Sequence, residues 1–182
     1  MILNGRSVNL SRVTVDDLDF ISELECNKDI WVYEEYVESD RATVRADYLE
    51  KMDSDTGYDF VVTADIDGKH ERIGLAQIWS YVDHRNSWEL GFAILPSYQR
   101  QGYGAEATKL LLDFAFRQLQ AHKVVGMCHC HNLKSVKLME RAGMRREGIF
   151  QEELLLDGQW HDQYFYSILD KEYIKKYAME LD

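Results

Sequence analysis

The sequence predicts an α+β fold: a mixed, mostly antiparallel sheet with one central strand–helix–strand crossover and helices packed on its faces. Three observations carry that expectation. Asp67-Gly68 and Asp157-Gly158 each separate two strand-like runs, and Asp-Gly suits a two-residue hairpin turn because both central residues need positive φ. An apolar run ends at the only proline of the chain, Pro96, and a polar loop with two glycines, Gln99-Arg100-Gln101-Gly102-Tyr103-Gly104, then opens an amphipathic stretch. A further apolar run over 123–131 follows, as a crossover requires.

The elements read in order as follows. Residues 6–13 alternate polar and apolar like a half-buried strand. Thr14 offers an N-cap, with Asp16 and Asp17 in the first turn of a helix that sets Leu18, Ile21 and Leu24 on one face. Ser39 and Asp40 can start a second helix, running to about Met52, with Val44 and Tyr48 sharing a face. Strands are expected at 58–66, 72–82 and 87–95, with a turn at 83–86 between the last two. A helix over 104–119 places Thr108, Leu111, Leu112 and Ala115 together. After the strand at 123–131, Asn132 begins a short helix that stops at Gly143, where glycine fits a left-handed C-cap. Strands 147–156 and 160–169 flank the second Asp-Gly turn.

Composition narrows the function. A chain of 182 residues with 46% hydrophobic and 12% aromatic content can bury one full core, and no linker or repeat divides it. A net charge of −11 disfavours nucleic acid as the main ligand, since phosphate backbones need a basic surface. The first residues lack the layout of a signal peptide, and no apolar run approaches the ~18 residues of a membrane span. Three scattered cysteines do not suggest a disulfide framework. The expectation is a single soluble, cytoplasmic domain with neither nucleic acid nor membrane as partner.

The glycine loop then has to be assigned a ligand. Glycines at a strand-to-helix junction let backbone N–H groups crowd around an anion at the positive end of the helix dipole. Gly102-x-Gly104-x-x-Ala107 matches the dinucleotide fingerprint, but the next strand ends Cys128-His129-Cys130-His131-Asn132, without the acid that would hold a ribose. Hairpin-linked strands also contradict a parallel sheet. A nucleoside-triphosphate loop fails because no Lys-Ser or Lys-Thr follows the second glycine.

The spaced residues Gln99-x-x-Gly102-x-Gly104, Asn132-x-x-Ser135, Leu138-x-Glu140-Arg141-x-Gly143-Met144, Glu147-Gly148 and Asp157-Gly158-x-Trp160-x-Asp162 resemble the GNAT superfamily of N-acetyltransferases. The resemblance is to its bacterial branch that includes the ribosomal-protein alanine N-acetyltransferases, and it spans nearly the whole chain, read as one domain over 1–182. It implies acetyl-CoA as co-substrate and no metal. Gln99 opens the signature, and backbone N–H groups of Arg100, Gln101, Gly102, Tyr103, Gly104 and Ala105 would cradle the pyrophosphate. Backbone groups of Phe92, Ala93 and Ile94, with Asn132, would hold the pantetheine arm. That arrangement requires the 87–95 strand to splay from the 123–131 strand. The acceptor implied is a primary amine, first a protein N-terminal α-amine of ribosomal-protein type and alternatively a polyamine. A CoA-binding module without transfer activity is the reading from another class, and relatives suggest a homodimer through the final strands.

The implied reaction is direct attack of the amine on the thioester, which needs a base, an oxyanion stabiliser and an acid for the sulfur. Glu89 is the candidate base, although the same residue also reads as a surface strand carboxylate. Many relatives carry a tyrosine acid seven residues after the asparagine; here that position is Met139, and Ser135 becomes the candidate partner for the sulfur. In Cys128-His129-Cys130-His131 the strand alternation sends cysteines and histidines to opposite faces, which argues against a four-ligand metal site. Trp31, Glu34, Glu35 and Tyr36, between the first two helices, are candidates for the acceptor site, as carboxylates beside aromatic rings can hold a cation.

Overall fold

A computed structural model describes residues 1–177 and shows one eight-stranded sheet with five helices. The strands are β1 (Ile2–Asn4), β2 (Asn9–Arg12), β3 (Gly57–Ile66), β4 (Lys69–Val82), β5 (Ser87–Ile94), β6 (Lys123–His129), β7 (Arg145–Leu156) and β8 (Gln159–Leu169). The helices are α1 (Leu18–Glu25), α2 (Arg41–Lys51), α3 (Tyr103–Arg117), α4 (Leu133–Ala142) and α5 (Asp170–Tyr177). Spatial order is β1-β2-β3-β4-β5-β6-β8-β7, and only the β5–β6 pair is parallel. The predicted α+β architecture with a β5–α3–β6 crossover is what is found. No helix among the described residues is long and apolar enough to cross a membrane.

Period-two alternation builds a core on each face of the sheet. Phe60, Val62, Ala76, Ile78, Leu90 and Ile94 join the larger core, which is completed by Leu111, Leu112, Phe114 and Ala115 of α3. Their strand neighbours Val61, Leu75 and Ala93 face the other way, into a core shared with Leu18, Ile21 and Leu24 of α1 and Val44 and Tyr48 of α2. Both Asp-Gly turns have positive φ at both residues, 50° and 78° at Asp67-Gly68 and 51° and 75° at Asp157-Gly158.

The differences from expectation lie at element ends. The first strand occupies 9–12 rather than 6–13, because the N–H groups of Arg6 and Ser7 turn to the carboxylate of Glu106 in the first turn of α3. Residues 15–17 form a 3₁₀ turn before α1 begins. The strand expected to reach His131 stops at His129, where the Asn132 N–H folds back to the His129 carbonyl. The short strand β1 and helix α5 carry too few periodic residues to announce themselves, and α5 is recruited by Tyr173 and Tyr177 packing into the core.

Candidate active site

A cleft of about 1400 Å³ opens between α1–α2, the middle of the sheet, the glycine loop and α4. Its origin is a splay. β5 and β6 are in register only at Ser87–Lys123, Trp88–Val124 and Glu89–Val125, and beyond Glu89 the two strands part. The Leu95 N–H bonds to Ile73 on β4, so by antiparallel alternation the backbone groups of Phe92 and Ile94 face away from β4, toward the gap. Ala93, grouped with them from sequence, is different. Its carbonyl faces β4, where a Cβ at Gly74 would collide with it. Thus Phe92 and the Ile94 N–H, but not Ala93, present free strand edge to the cleft.

The glycine loop adds a nest of donors. Arg100 (φ 65°) and Gly102 (φ 92°) both take left-handed backbone, and Gly102 is the N-cap of α3 without a side chain to satisfy the helix end. The first-turn N–H groups of Tyr103, Gly104 and Ala105 therefore point out of the helix with no intrahelical acceptor. Gly104 serves packing: a Cβ there would sit 3.1 Å from Leu138 Cδ1 and 3.6 Å from Ile94 Cγ1, so glycine lets α3 close onto α4 and β5. Gln99 acts as a brace, its Nε2 donating to the Ile94 carbonyl (2.9 Å) and its Oε1 accepting from Lys134 (2.7 Å). Gln101 donates weakly to the Ser97 carbonyl at 3.4 Å and does not line the cleft. Lys134, Lys137 and Arg141 of α4 line this end, a basic set that sequence reading missed because helical spacing alone does not say which face meets the loop.

Glu89 lies in the cleft wall where the strands part. Burial pushes its carboxyl up to about 7, opposed by a hydrogen bond from its cross-strand partner Trp79 and reinforced by the charge of Glu34. Gly91 makes room for that indole, since a Cβ there would come within 3.1 Å of the ring. Asn132 caps α4 by accepting the Ser135 N–H through Oδ1 (3.2 Å), which leaves its amide –NH₂ for a ligand. Ser135, half-buried, lines the same wall. Met139 is buried in the larger core, with its sulfur against Gly126. Cys128 is also a core residue, its thiol pushed up to about 11 by burial and so neutral.

The opposite end is acidic. Glu25, Glu34, Asp59 and Glu89 all line it, together with Trp31 and Tyr36 of the predicted acceptor segment. Burial raises Glu25, which accepts from Tyr48 (2.7 Å), and Gln77 bridges Tyr48 (3.1 Å) to Asp59 (2.6 Å). The cleft walls and neighbouring Glu35 raise Glu34. Trp31 is anchored by its indole N–H on the Leu24 carbonyl (3.1 Å), and Tyr36 donates to Glu38 (2.9 Å). Glu35 departs from expectation: it does not line the cleft, and its carboxylate instead accepts the Leu155 N–H of β7 at 2.7 Å. Sequence reading also missed Glu25 and Asp59, which sit on separate elements and meet only through the Tyr48–Gln77 bridge.

Residues 7–145 match the profile of the acetyltransferase (GNAT) domain. The chain belongs to the GNAT acetyltransferase family. As a GNAT protein it is an acyltransferase, and the GNAT fold binds acetyl-CoA. Among curated relatives it is 34% identical over 88 residues to an uncharacterized N-acetyltransferase, YnaD, of Bacillus subtilis, a match spanning 48% of this chain and 52% of that protein. It is 28% identical over 163 residues to spermidine N(1)-acetyltransferase of Vibrio cholerae, covering 88% of this chain and 91% of the relative. It is 33% identical over 95 residues to the [ribosomal protein uS5]-alanine N-acetyltransferase of Escherichia coli, about half of each chain (50% and 48%). The solved structure of the Vibrio cholerae spermidine N-acetyltransferase with CoA and spermine superposes with a TM-score of 0.80 at 26% identity, covering 92% of this chain and 98% of that one.

Proposed function

We propose that this GNAT enzyme transfers acetyl from acetyl-CoA to a primary amine of a small polycation of the polyamine class. The observation that carries the reading is the charge division of one cleft. Donor N–H groups and the basic side chains of α4 occupy one end, and Glu25, Glu34, Asp59 and Glu89 occupy the other. Carboxylates whose acidity is weakened by burial and by one another gain most from an incoming cation, because each positive charge relieves repulsion and desolvation together. Near-full-length likeness to spermidine acetyltransferases supports this choice over a ribosomal-protein N-terminus, for which the likeness covers about half the chain. Either acceptor is an amine and would use the same catalytic wall.

In this reading the donor's pyrophosphate lies on the Tyr103–Ala105 amides, and its pantetheine arm adds to the Phe92–Ile94 edge like a short strand. Acetyl-CoA supplies an activated acyl group with a thiolate leaving group. Glu89 as carboxylate takes a proton from the ammonium, directly or through a water. Its raised basicity narrows the gap to an alkylammonium near ~10.4, which is neutral only about one part in a thousand at pH 7. Ser135, on the first turn of α4, hydrogen-bonds the departing sulfur in this reading, the role a tyrosine would take where this chain has Met139.

The test is mass-spectrometric acetyl transfer to a pool of spermidine, spermine, alanine- and serine-ended peptides, a lysine peptide and aminoglycosides. Mass gain on a polyamine supports the proposal. Preferential gain at a peptide α-amine refutes the polyamine reading and restores the ribosomal-protein one.

A further inference from the structure

Beside the cleft, the chain brings together three histidines that the alternation argument could not unite. His129 ends β6, His131 follows in the turn that breaks the strand, and His161 comes from β8. One ring nitrogen from each lies within 4.8 Å of the others. Ring centroids are 4.6 Å apart for His129–His161, 5.3 Å for His129–His131 and 5.7 Å for His131–His161. From this geometry we infer that His129, His131 and His161 form a binding site for one borderline divalent transition-metal ion, zinc foremost.

Three independent facts support the assignment. First, His129 is only 4% exposed, and its Nε2 is buried with no hydrogen-bond partner, an arrangement that needs an explanation in a native core. Second, no acidic side chain pairs with the cluster among the described residues, so nothing already satisfies these nitrogens as ion-pair donors. Third, the reach is right. Tetrahedral zinc with N ligands at ~2.0–2.1 Å needs nitrogens about 3.4 Å apart. Closing from 4.8 Å asks for a shift of about an ångström, which exposed His131 and half-buried His161 can make by rotation while buried His129 stays fixed.

Ligation would also rearrange the hydrogen bonds of this turn. Nδ1 of His129 now accepts the His131 N–H at 3.1 Å, so the ring proton sits on Nε2. Ligation through Nε2 moves that proton to Nδ1, so the His131 N–H has to turn away from Nδ1 as His131 swings onto the ion, and Cys130 Sγ, 3.9 Å away, becomes the acceptor for the new Nδ1–H. The Cys–His–Cys–His run is not the ligand set, because Cys128 is committed to the core. Three histidines leave a fourth position for water. Tyr33 packs on His129 at 5.1 Å between centroids and donates to the His131 carbonyl (3.2 Å), so the ion would lie against the acceptor segment.

Zinc binding to the untagged full chain, measured by isothermal titration calorimetry with cobalt(II) absorption as a second readout, tests this. One ion per chain is expected, with micromolar or tighter affinity and a cobalt spectrum lacking a thiolate charge-transfer band. His131→Gln and His161→Gln, both outside the core, should each weaken zinc at least about tenfold while thermal melting stays unchanged. Zinc binding that is absent, that survives both substitutions, or that disappears in Cys130→Ser but not in the histidine variants would overturn the site.

Discussion

Replacing Glu89 with glutamine keeps the side chain's shape and removes its charge, so it isolates what burial does to this carboxylate. Moving a carboxyl from 4.5 to about 7 corresponds to about 3 kcal/mol against the charged form. The cleft is open to water, so screening leaves roughly 1–2 kcal/mol of this as a stability effect. The sign follows from the folded value lying above the unfolded one. Glu89 is protonated in both states below 4.5, its contribution declines as pH rises from there, and the loss is complete above about 7. Glu89→Gln should therefore melt about 2–8 °C higher than wild type at pH 8 and at the same temperature near pH 4.5. Catalysis should move the other way. Turnover in the variant should fall by about 10²–10⁴. The acceptor's own deprotonation appears in both proteins and cancels from the ratio of their kcat/KM values. That ratio should climb about tenfold between pH 6 and pH 8, following ionisation of Glu89. A flat ratio over this range would remove Glu89 as the base, and equal melting temperatures at pH 8 would show that its carboxyl is not strained by burial.

Other outcomes follow from the same geometry. Asn132→Ala removes the cap of α4 and should lower stability by about 1 kcal/mol, a fall of about 2–4 °C in Tm, while also weakening acetyl-CoA. Ser135→Ala should lower kcat about tenfold or more with little change in melting, and a wild-type kcat would exclude the serine from the sulfur. Gly104→Arg forces a side chain between α3, Leu138 and Ile94 and should abolish acetyl-CoA binding by calorimetry; unchanged affinity would refute the placement of the phosphates at this helix end. Glu34→Gln should raise KM for spermine more than for a monoamine, and equal changes would count against a polycation site.

The local layer of this protein is written in local sequence. Asp67-Gly68 and Asp157-Gly158 turn as they do because few other pairs tolerate two positive φ values in succession. Asn132 and Gly143 bound α4 through a side-chain acceptor and a left-handed C-cap, and alternation from Phe60 to Val62 and from Leu90 to Ile94 assigns each residue its face. The glycine loop and the spaced residues after it were legible for the same reason, since a backbone nest depends on which residues can adopt its φ values. What lies beyond reach of such signals is any distance between segments. The parting of β5 from β6 after Glu89 depends on how two strands far apart in the chain meet, and only that parting turns Glu89 from a surface carboxylate into a cleft residue. Glu35 and Glu34 are neighbours with the same chemistry, yet packing sends one to the β7 backbone and the other to the cleft. Glu25 joins Asp59, and His161 joins His129, through contacts between elements that no spacing rule connects. Local stereochemistry is fixed within a few residues, whereas charge density and ligand geometry arise from long-range packing, and so they were settled by the tertiary structure alone.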